Sequence, residues 1–364
     1  MDSFAFIIHP IDPKRDVSRK YPLLGKFLNE NQINFFSTFF PPVYISEIEG
    51  VTSESTGKQI KGWFVACPLT PKRILELPEK LVYQKIIQTG HMAEKLGANI
   101  LGLGAFTSVV GDAGITIARE LEIPVTTGDS YTVSLAVDAL LKAAEMMDIP
   151  LSSASAAVVG ATGAIGKICA ELLADAVGEI YLIGRRREAL EGLREQLQPS
   201  ARAKLHISTS MDVLKHVQLI LTVTSSVHDV IHPEDLQAGT VICDVARPRD
   251  VSAMVAAVRN DILVIDGGMV DVPGNVNFHF NFGFPSGKSY ACMAETMALT
   301  LEGRFEDYTL GKDLTRKRVE EITTIAKKHG FRLSGFRSFE KEVTLDQIET
   351  VRQAKRMKNA SHNS

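Results

Sequence analysis

From residue 151 onward, short apolar runs recur, and stretches with helical spacing separate several of them. The runs are Ala156 to Val159, Ile180 to Ile183, Lys204 to Ile207, Leu219 to Thr224, Thr240 to Val245 and Ile262 to Ile265. Leu190 to Leu197 and Val251 to Val258 carry helical spacing. Strands alternating with helices predict a Rossmann-like, doubly wound parallel sheet of the α/β class. Before residue 150 the pattern is more mixed. Phe4 to Ile8 reads as a buried strand and Leu23 to Gln32 as a weak helix. A long β-pattern from Val43 to Cys67 is broken by Ser55-Thr56-Gly57-Lys58, which predicts a hairpin. Leu81 to Leu96 and Ile115 to Leu121 are helical in pattern. Asn99 to Leu103 and Pro124 to Thr127 are strands, opening into loops 104–108 and 126–130. Tyr131 to Met147 is an amphipathic helix with Asp129 or Ser130 as its cap, and Ile149 to Ser153 reads as a linker.

The run Ala156 to Val159 meets glycines at Gly160, Gly163 and Gly166, and a helical pattern follows at once. Strand, glycine turn, helix and second strand are the setting of a dinucleotide site. There the backbone of Gly160, Thr162, Gly163, Ala164, Ile165 and Gly166 approaches a pyrophosphate seated on a helix N-terminus. The spacing is G-x-x-G-x-x-G, so the context carries more weight than the triplet. A NAD-type site carries an acidic residue about 20 residues past the turn. This chain has Gly184-Arg185-Arg186-Arg187 there. Arg185 and Arg186 suit the 2′-phosphate of NADPH, although a solvated basic helix start is the alternative. Ligands of such sheets lie beyond the carboxyl ends of the strands. That expects Thr224-Ser225, Ala246-Arg247-Pro248 and Asp266-Gly267-Gly268 near a nicotinamide, with Thr224 and Gly267 as cofactor-binding positions. The expected organisation is an N-terminal α/β substrate lobe over 1–150, an NADP-binding domain over 151–284 and a C-terminal helical segment over 285–364. The end of the chain, from Val351, reads as a frayed basic tail.

Composition narrows the function class. The chain has 364 residues, with 45% hydrophobic and 23% charged, as in ordinary soluble proteins, and suits two lobes. A net charge of −3 argues against a general nucleic-acid binder. No apolar stretch approaches the roughly 20 residues that span a bilayer, and the N-terminus has no secretion-signal pattern. The expectation is a cytoplasmic protein with no membrane span. The four cysteines have no C-x-x-C spacing and the nine histidines no metal-ligand spacing, so no metal is expected. His9 and His279 could line a cleft, although structural histidines fit as well.

Candidate chemistry gathers at Pro285-Ser286-Gly287-Lys288-Ser289-Tyr290-Ala291-Cys292. Pro-Ser-Gly breaks structure, Ser286 or Ser289 can cap the helix that follows, and Cys292 falls in its first turn. The helix dipole there predicts a thiol pKa lowered toward neutrality. A thiolate so placed can attack a thioester, and hydride from the cofactor can reduce the acyl group to an aldehyde. Taken alone, Cys292 also fits a small packed hydrophobe, as Cys67, Cys169 and Cys243 do.

The chain resembles the long-chain acyl-(acyl-carrier-protein) reductases best known from cyanobacteria, which form fatty aldehydes. The resemblance rests on Arg15-Asp16-Val17-Ser18-Arg19, Ser55-Thr56-Gly57-Lys58, Leu103-Gly104-Ala105-Phe106-Thr107-Ser108 and Thr126-Thr127-Gly128-Asp129. It extends through Val159 to Gly166 and Tyr290-Ala291-Cys292-Met293-Ala294-Glu295. It implies that Cys292 is the acylated nucleophile and that the glycine turn binds NADPH. With that role assigned, Thr107, Ser108 and Thr127 are candidates to hold the oxyanion. The implied partners are a fatty acyl thioester on acyl carrier protein or CoA and a downstream aldehyde-consuming enzyme. Lys14, Arg15, Arg19, Lys20, Lys72 and Arg73 are candidates for docking an acidic carrier, while Arg352, Lys355, Arg356 and Lys358 read as a solvated tail. Met293 stands where the family has an aromatic, and Phe-Pro-Ser-Gly-Lys-Ser replaces its more charged run. Two other readings stay open. One is a dehydrogenase of a small hydroxy or amino acid, built like shikimate dehydrogenase; the other is a non-catalytic NADP sensor.

Overall fold

The computed structural model describes residues 1–362 except 225, 227, 247, 248, 312, 313 and 340, with side chains as far as 357. The chain divides into two units: residues 1–131 with 270–332, and residues 132–269 with 333–364. The segment carrying Cys292 thus belongs to the first unit, because its helix packs on that unit's strands.

The first unit is built on a six-stranded mixed sheet. Its order is Gly274–Asn277, Val43–Thr52, Gln59–Ala66, Ser3–Ile8, Leu101–Gly102 and Val125–Thr126. The expected hairpin is present, with Val43–Thr52 antiparallel to Gln59–Ala66, and Ser3–Ile8 lies parallel beside it. Ala5, Ile7, Val65, Leu69, Val82, Ile86, Leu101 and Val125 share one core, which helix Glu79–Leu96 closes. The weak helix expected over Leu23 to Gln32 is instead two, Pro22–Phe27 and Glu30–Ser37. Extended Leu28 ends the first and Asn29 starts the second through a capping box with Gln32, so local capping outweighs the continuous apolar pattern.

The second unit holds a six-stranded, all-parallel sheet. Its order is Leu263–Ile265, Val241–Asp244, Leu219–Thr222, Ser155–Val159, Glu179–Ile183 and Lys204–Ser208. The direction of winding reverses beside Ser155–Val159, whose five residues are all buried, as a central parallel strand requires. The expected frayed tail is helix Leu345–His362. Arg352 and Arg356 both pair with Asp148, and Lys355 Nζ donates to Met147 O at 3.2 Å, so basic residues meant for solvent tie the helix down. Among the described residues, no helix is long and apolar enough to cross a membrane.

Candidate active site

In the second unit the glycine turn joins strand Ser155–Val159 to helix Ala164–Ala174. Gly160 has φ +87°, and a side chain there would meet Val223 O at 2.7 Å, so the turn lies against the neighbouring strand end. A side chain at Gly166 would lie 2.2 Å from Gly160 O. Gly163 differs. It is exposed, its φ of −73° suits any residue, and its nearest obstruction is Gly160 O at 3.3 Å. Packing explains the glycines at 160 and 166; the open face at 163 fits the close approach of a ligand. The helix has no side-chain cap, and among the described residues the N–H groups of Ala164, Ile165 and Gly166 have no acceptor. That is an anion-binding arrangement.

Arg185 and Arg186 lie exposed just beyond strand Glu179–Ile183, and among the described residues neither pairs with a carboxylate. Arg187 pairs with Glu191 at 3.0 Å. Thr224 is held tightly by Asp250: its N–H donates to Asp250 Oδ2 at 2.7 Å and its hydroxyl to Oδ1. The Thr222 hydroxyl shares the same carboxylate at 2.5 Å. Thr224 therefore shapes the strand end, with its own donors already used. Gly267 has φ +82° and open space around it, and neighbouring Asp266 pairs with Arg249. Ser225, Arg247 and Pro248, also expected near the nicotinamide, lie outside the described residues.

In the first unit Cys292 is the second residue of helix Ala291–Glu302, as expected, but no serine caps that helix. Tyr290 is the N-cap and makes no side-chain capping bond, and Ser289 Oγ turns to Tyr290 O at 3.2 Å. The helix lies directly against two glycines. A Cβ on Gly128 would fall 2.2 Å from Cys292 Cβ, and one on Gly102 would fall 2.2 Å from Thr296 Oγ1. These positions, one helical turn apart on the helix, fix how deeply the cysteine sits.

Electrostatics at the thiol run opposite to expectation. Burial, then the charges of Asp129 and Glu295, push Cys292 up to about 12. Backbone N–H groups at the helix start oppose this but do not prevail. Asp129 is itself raised to about 7 by burial and the nearby Glu295 charge. Burial raises Glu295 to about 7 against hydrogen bonds that favour its ionised form. Sequence reading missed Glu295. The Thr126 hydroxyl donates to Oε1 at 2.5 Å, Thr309 Oγ1 lies 3.1 Å from the same oxygen, and Tyr131 N–H donates to Oε2 at 2.8 Å. Glu295 therefore serves the first turn of helix Asp129–Met146, the duty expected of Asp129 or Ser130. The available signal was a lone acid in the apolar run Ala291–Leu301, one turn from Cys292.

The candidate oxyanion donors are engaged locally. Thr107 Oγ1 donates to Gly104 O at 2.8 Å, and Ser108 Oγ to Ala105 O at 2.7 Å. Thr127 Oγ1 donates to Thr309 O at 2.5 Å and also faces Asp129. An oxyanion role requires these hydroxyls to rotate. His9 is buried and accepts from Phe106 N–H at 3.2 Å, and burial lowers its pKa to about 4, so it is neutral. His279 is exposed and pairs with Glu49. Cys67, Cys169 and Cys243 are fully buried; Cys292 alone of the four keeps open surface. Among the described residues, no cluster of His, Cys, Asp or Glu could hold a metal ion.

Comparison with known proteins agrees with this architecture. Residues 141–266 match the family model described as shikimate / quinate 5-dehydrogenase. The chain is 30% identical over 339 residues to Aminotransferase PigE of Serratia sp. (strain ATCC 39006), covering 90% of this chain but only 39% of that protein's length. It is 29% identical over 345 residues to the long-chain acyl-[acyl-carrier-protein] reductase of Synechococcus elongatus, covering 90% of this chain and 98% of that one. L-tryptophan dehydrogenase from Nostoc punctiforme, a solved structure, aligns over 100% of this chain and 89% of its own with 14% identity and a TM-score of 0.42. The chain carries an oxidoreductase fold of the nicotinamide-dependent kind.

Proposed function

We propose that this protein reduces a fatty acyl thioester, carried on acyl carrier protein or CoA, to the aldehyde, using NADPH and an acyl group held on Cys292. One observation carries the reading: of four cysteines, Cys292 alone keeps open surface, at a helix start pressed against Gly128. The likeness to the Synechococcus reductase over nearly the whole of both chains supports it. At neutral pH Cys292 is a protonated thiol, so attack must be coupled to loss of that proton. Sγ bonds to the acyl carbonyl carbon, the bond to the carrier sulfur breaks, and the carrier leaves as a thiol. Asp129, whose charge acts on Cys292, is the group we assign to take the proton from Cys292 and return it to the departing sulfur.

The turn 160–166 and its free N–H groups would hold the pyrophosphate, and Arg185 with Arg186 the 2′-phosphate. NADPH held there would supply the hydride needed, with a proton, to convert acyl-Cys292 to aldehyde and free thiol. The dehydrogenase alternative calls for a Lys–Asp pair in the first unit. Lys58 does pair with Asp2 at 2.7 Å, but it also donates to Thr300 O and Leu301 O at the end of the Cys292 helix, which is anchoring duty. The Serratia relative is an aminotransferase by name and longer than the aligned segment, and an aldehyde is a group that transamination consumes. Such an enzyme fits the expected downstream partner.

The test uses the full chain with a long-chain acyl thioester and no cofactor. A mass gain of one acyl group, absent in Cys292→Ala, is expected, with aldehyde released when NADPH is added. An unchanged mass for the folded wild-type chain would overturn the reading.

A further inference from the structure

The first unit exposes an apolar face that the reaction does not use. Among the described residues, eighteen large hydrophobic side chains are exposed, and nine of them fall between Tyr21 and Tyr44. Phe27 is 76% exposed, Leu23 71% and Phe39 68%. Helix Glu30–Ser37 is inverted relative to an ordinary surface helix: Ile33, Asn34 and Ser37 are buried, while Phe35 and Phe36 face out. Phe35 meets Phe36 and Phe39 with ring centroids 5.4 and 5.5 Å apart, so these rings are contiguous. Helix Pro71–Glu76 joins the same face, since Arg73 Nε donates to Asn34 O at 3.1 Å, and exposed Leu75 extends it. Lys85 Nζ closes its margin on Phe40 O at 2.7 Å.

Charge identifies the occupant. Residues 12–44 and 71–85 hold nine Lys and Arg against five Asp and Glu, a surplus of four on a chain whose net charge is −3. The rest of the chain is therefore at −7, and positive charge collects around the apolar face. Two such faces would repel each other, which disfavours a second copy. Exposed apolar side chains on segments with a surplus of Lys and Arg match an interfacial element whose apolar residues enter the acyl boundary while its cations meet anionic headgroups. We propose that this face docks the protein on an anionic lipid surface, without spanning it. This inference does not depend on the reaction proposed above.

Sedimentation of the full chain with vesicles tests it, using phosphatidylcholine alone and phosphatidylcholine with phosphatidylglycerol, at about 0.1 M salt, where screening sets in within about 10 Å. The bound fraction should be several-fold higher on the anionic vesicles and fall as salt rises. Replacing Phe27 and Phe39 together with serine should lower the partition coefficient at least tenfold, with the urea midpoint unchanged because both rings are exposed. Failure of the wild-type chain to bind anionic vesicles would overturn the proposal, as would binding that survives loss of both rings. A dimer in light scattering that becomes monomeric in the serine variant would assign the face to a second copy instead.

Discussion

Replacing Gly128 with alanine tests how the cysteine is held. Gly128 has φ +78°, and its added Cβ would lie 2.2 Å from Cys292 Cβ, 2.4 Å from Cys292 Cα and 3.1 Å from its carbonyl carbon. None of these atoms is the end of a flexible side chain, so the helix or the loop must move. Two costs add. Holding alanine in the left-handed region costs about 1–2 kcal/mol, and forcing a methyl group into a packed contact costs about 1–3 kcal/mol. Gly97 separates them, because its φ is +87° and nothing lies within 4 Å of its Cβ position. Gly97→Ala should therefore lose about 1–2 kcal/mol, from strain alone. Gly128→Ala should lose about 2–5 kcal/mol, and the excess measures the contact with Cys292. Urea unfolding of both variants gives the stabilities, and the rate of Cys292 alkylation, read by mass, reports whether the thiol has shifted. Equal losses for the two variants, with unchanged alkylation, would refute the picture of Cys292 seated on the Gly128 backbone.

The buried acids predict a pH effect. Asp129 and Glu295 titrate near 7 in the folded chain and near 3.8 and 4.5 as free groups, so the native state holds extra protons over that window and loses stability as pH rises through about 7. The urea midpoint of the wild-type chain should fall more between pH 5 and pH 8 than that of Asp129→Asn, and parallel pH profiles would refute the shared burial of charge. Removing the cations at Arg185 and Arg186 together should weaken NADPH far more than NADH in fluorescence titrations, because each charge-assisted phosphate contact is worth about 1.5–3 kcal/mol. Equal weakening of the two cofactors would mean that these arginines do not read a 2′-phosphate.

What could be read from the chain followed the reach of the interaction. The parallel sheet of the second unit was legible because each of its strands is a short apolar run with local punctuation; Gly166 answers to nearby Gly160 O, whereas Gly160 is required by Val223 O at the neighbouring strand end. The hairpin was legible for the same reason. The break at Asn29 was not, since a capping box of four residues overrode an apolar pattern that ran across it. The cysteine's charge state was the largest departure, and its cause is long-range. A helix start by itself lowers a thiol's pKa, and around Cys292 the sequence sets only one acid, Glu295, against that effect. The opposing charge comes in part from Asp129, 163 positions away in the chain, brought in where Gly128 lets the backbone approach. Glu295 was the clue within reach. A carboxylate one turn from a cysteine in an apolar helix has to be satisfied by something, and here the Thr126 hydroxyl and the Tyr131 N–H satisfy it. The same bonds that settle Glu295 hold loop 126–131 against Cys292, so burial of the thiol and capping of helix Asp129–Met146 share one carboxylate. A change at Glu295 should thus disturb the cysteine and the helix start together, because one carboxylate serves both.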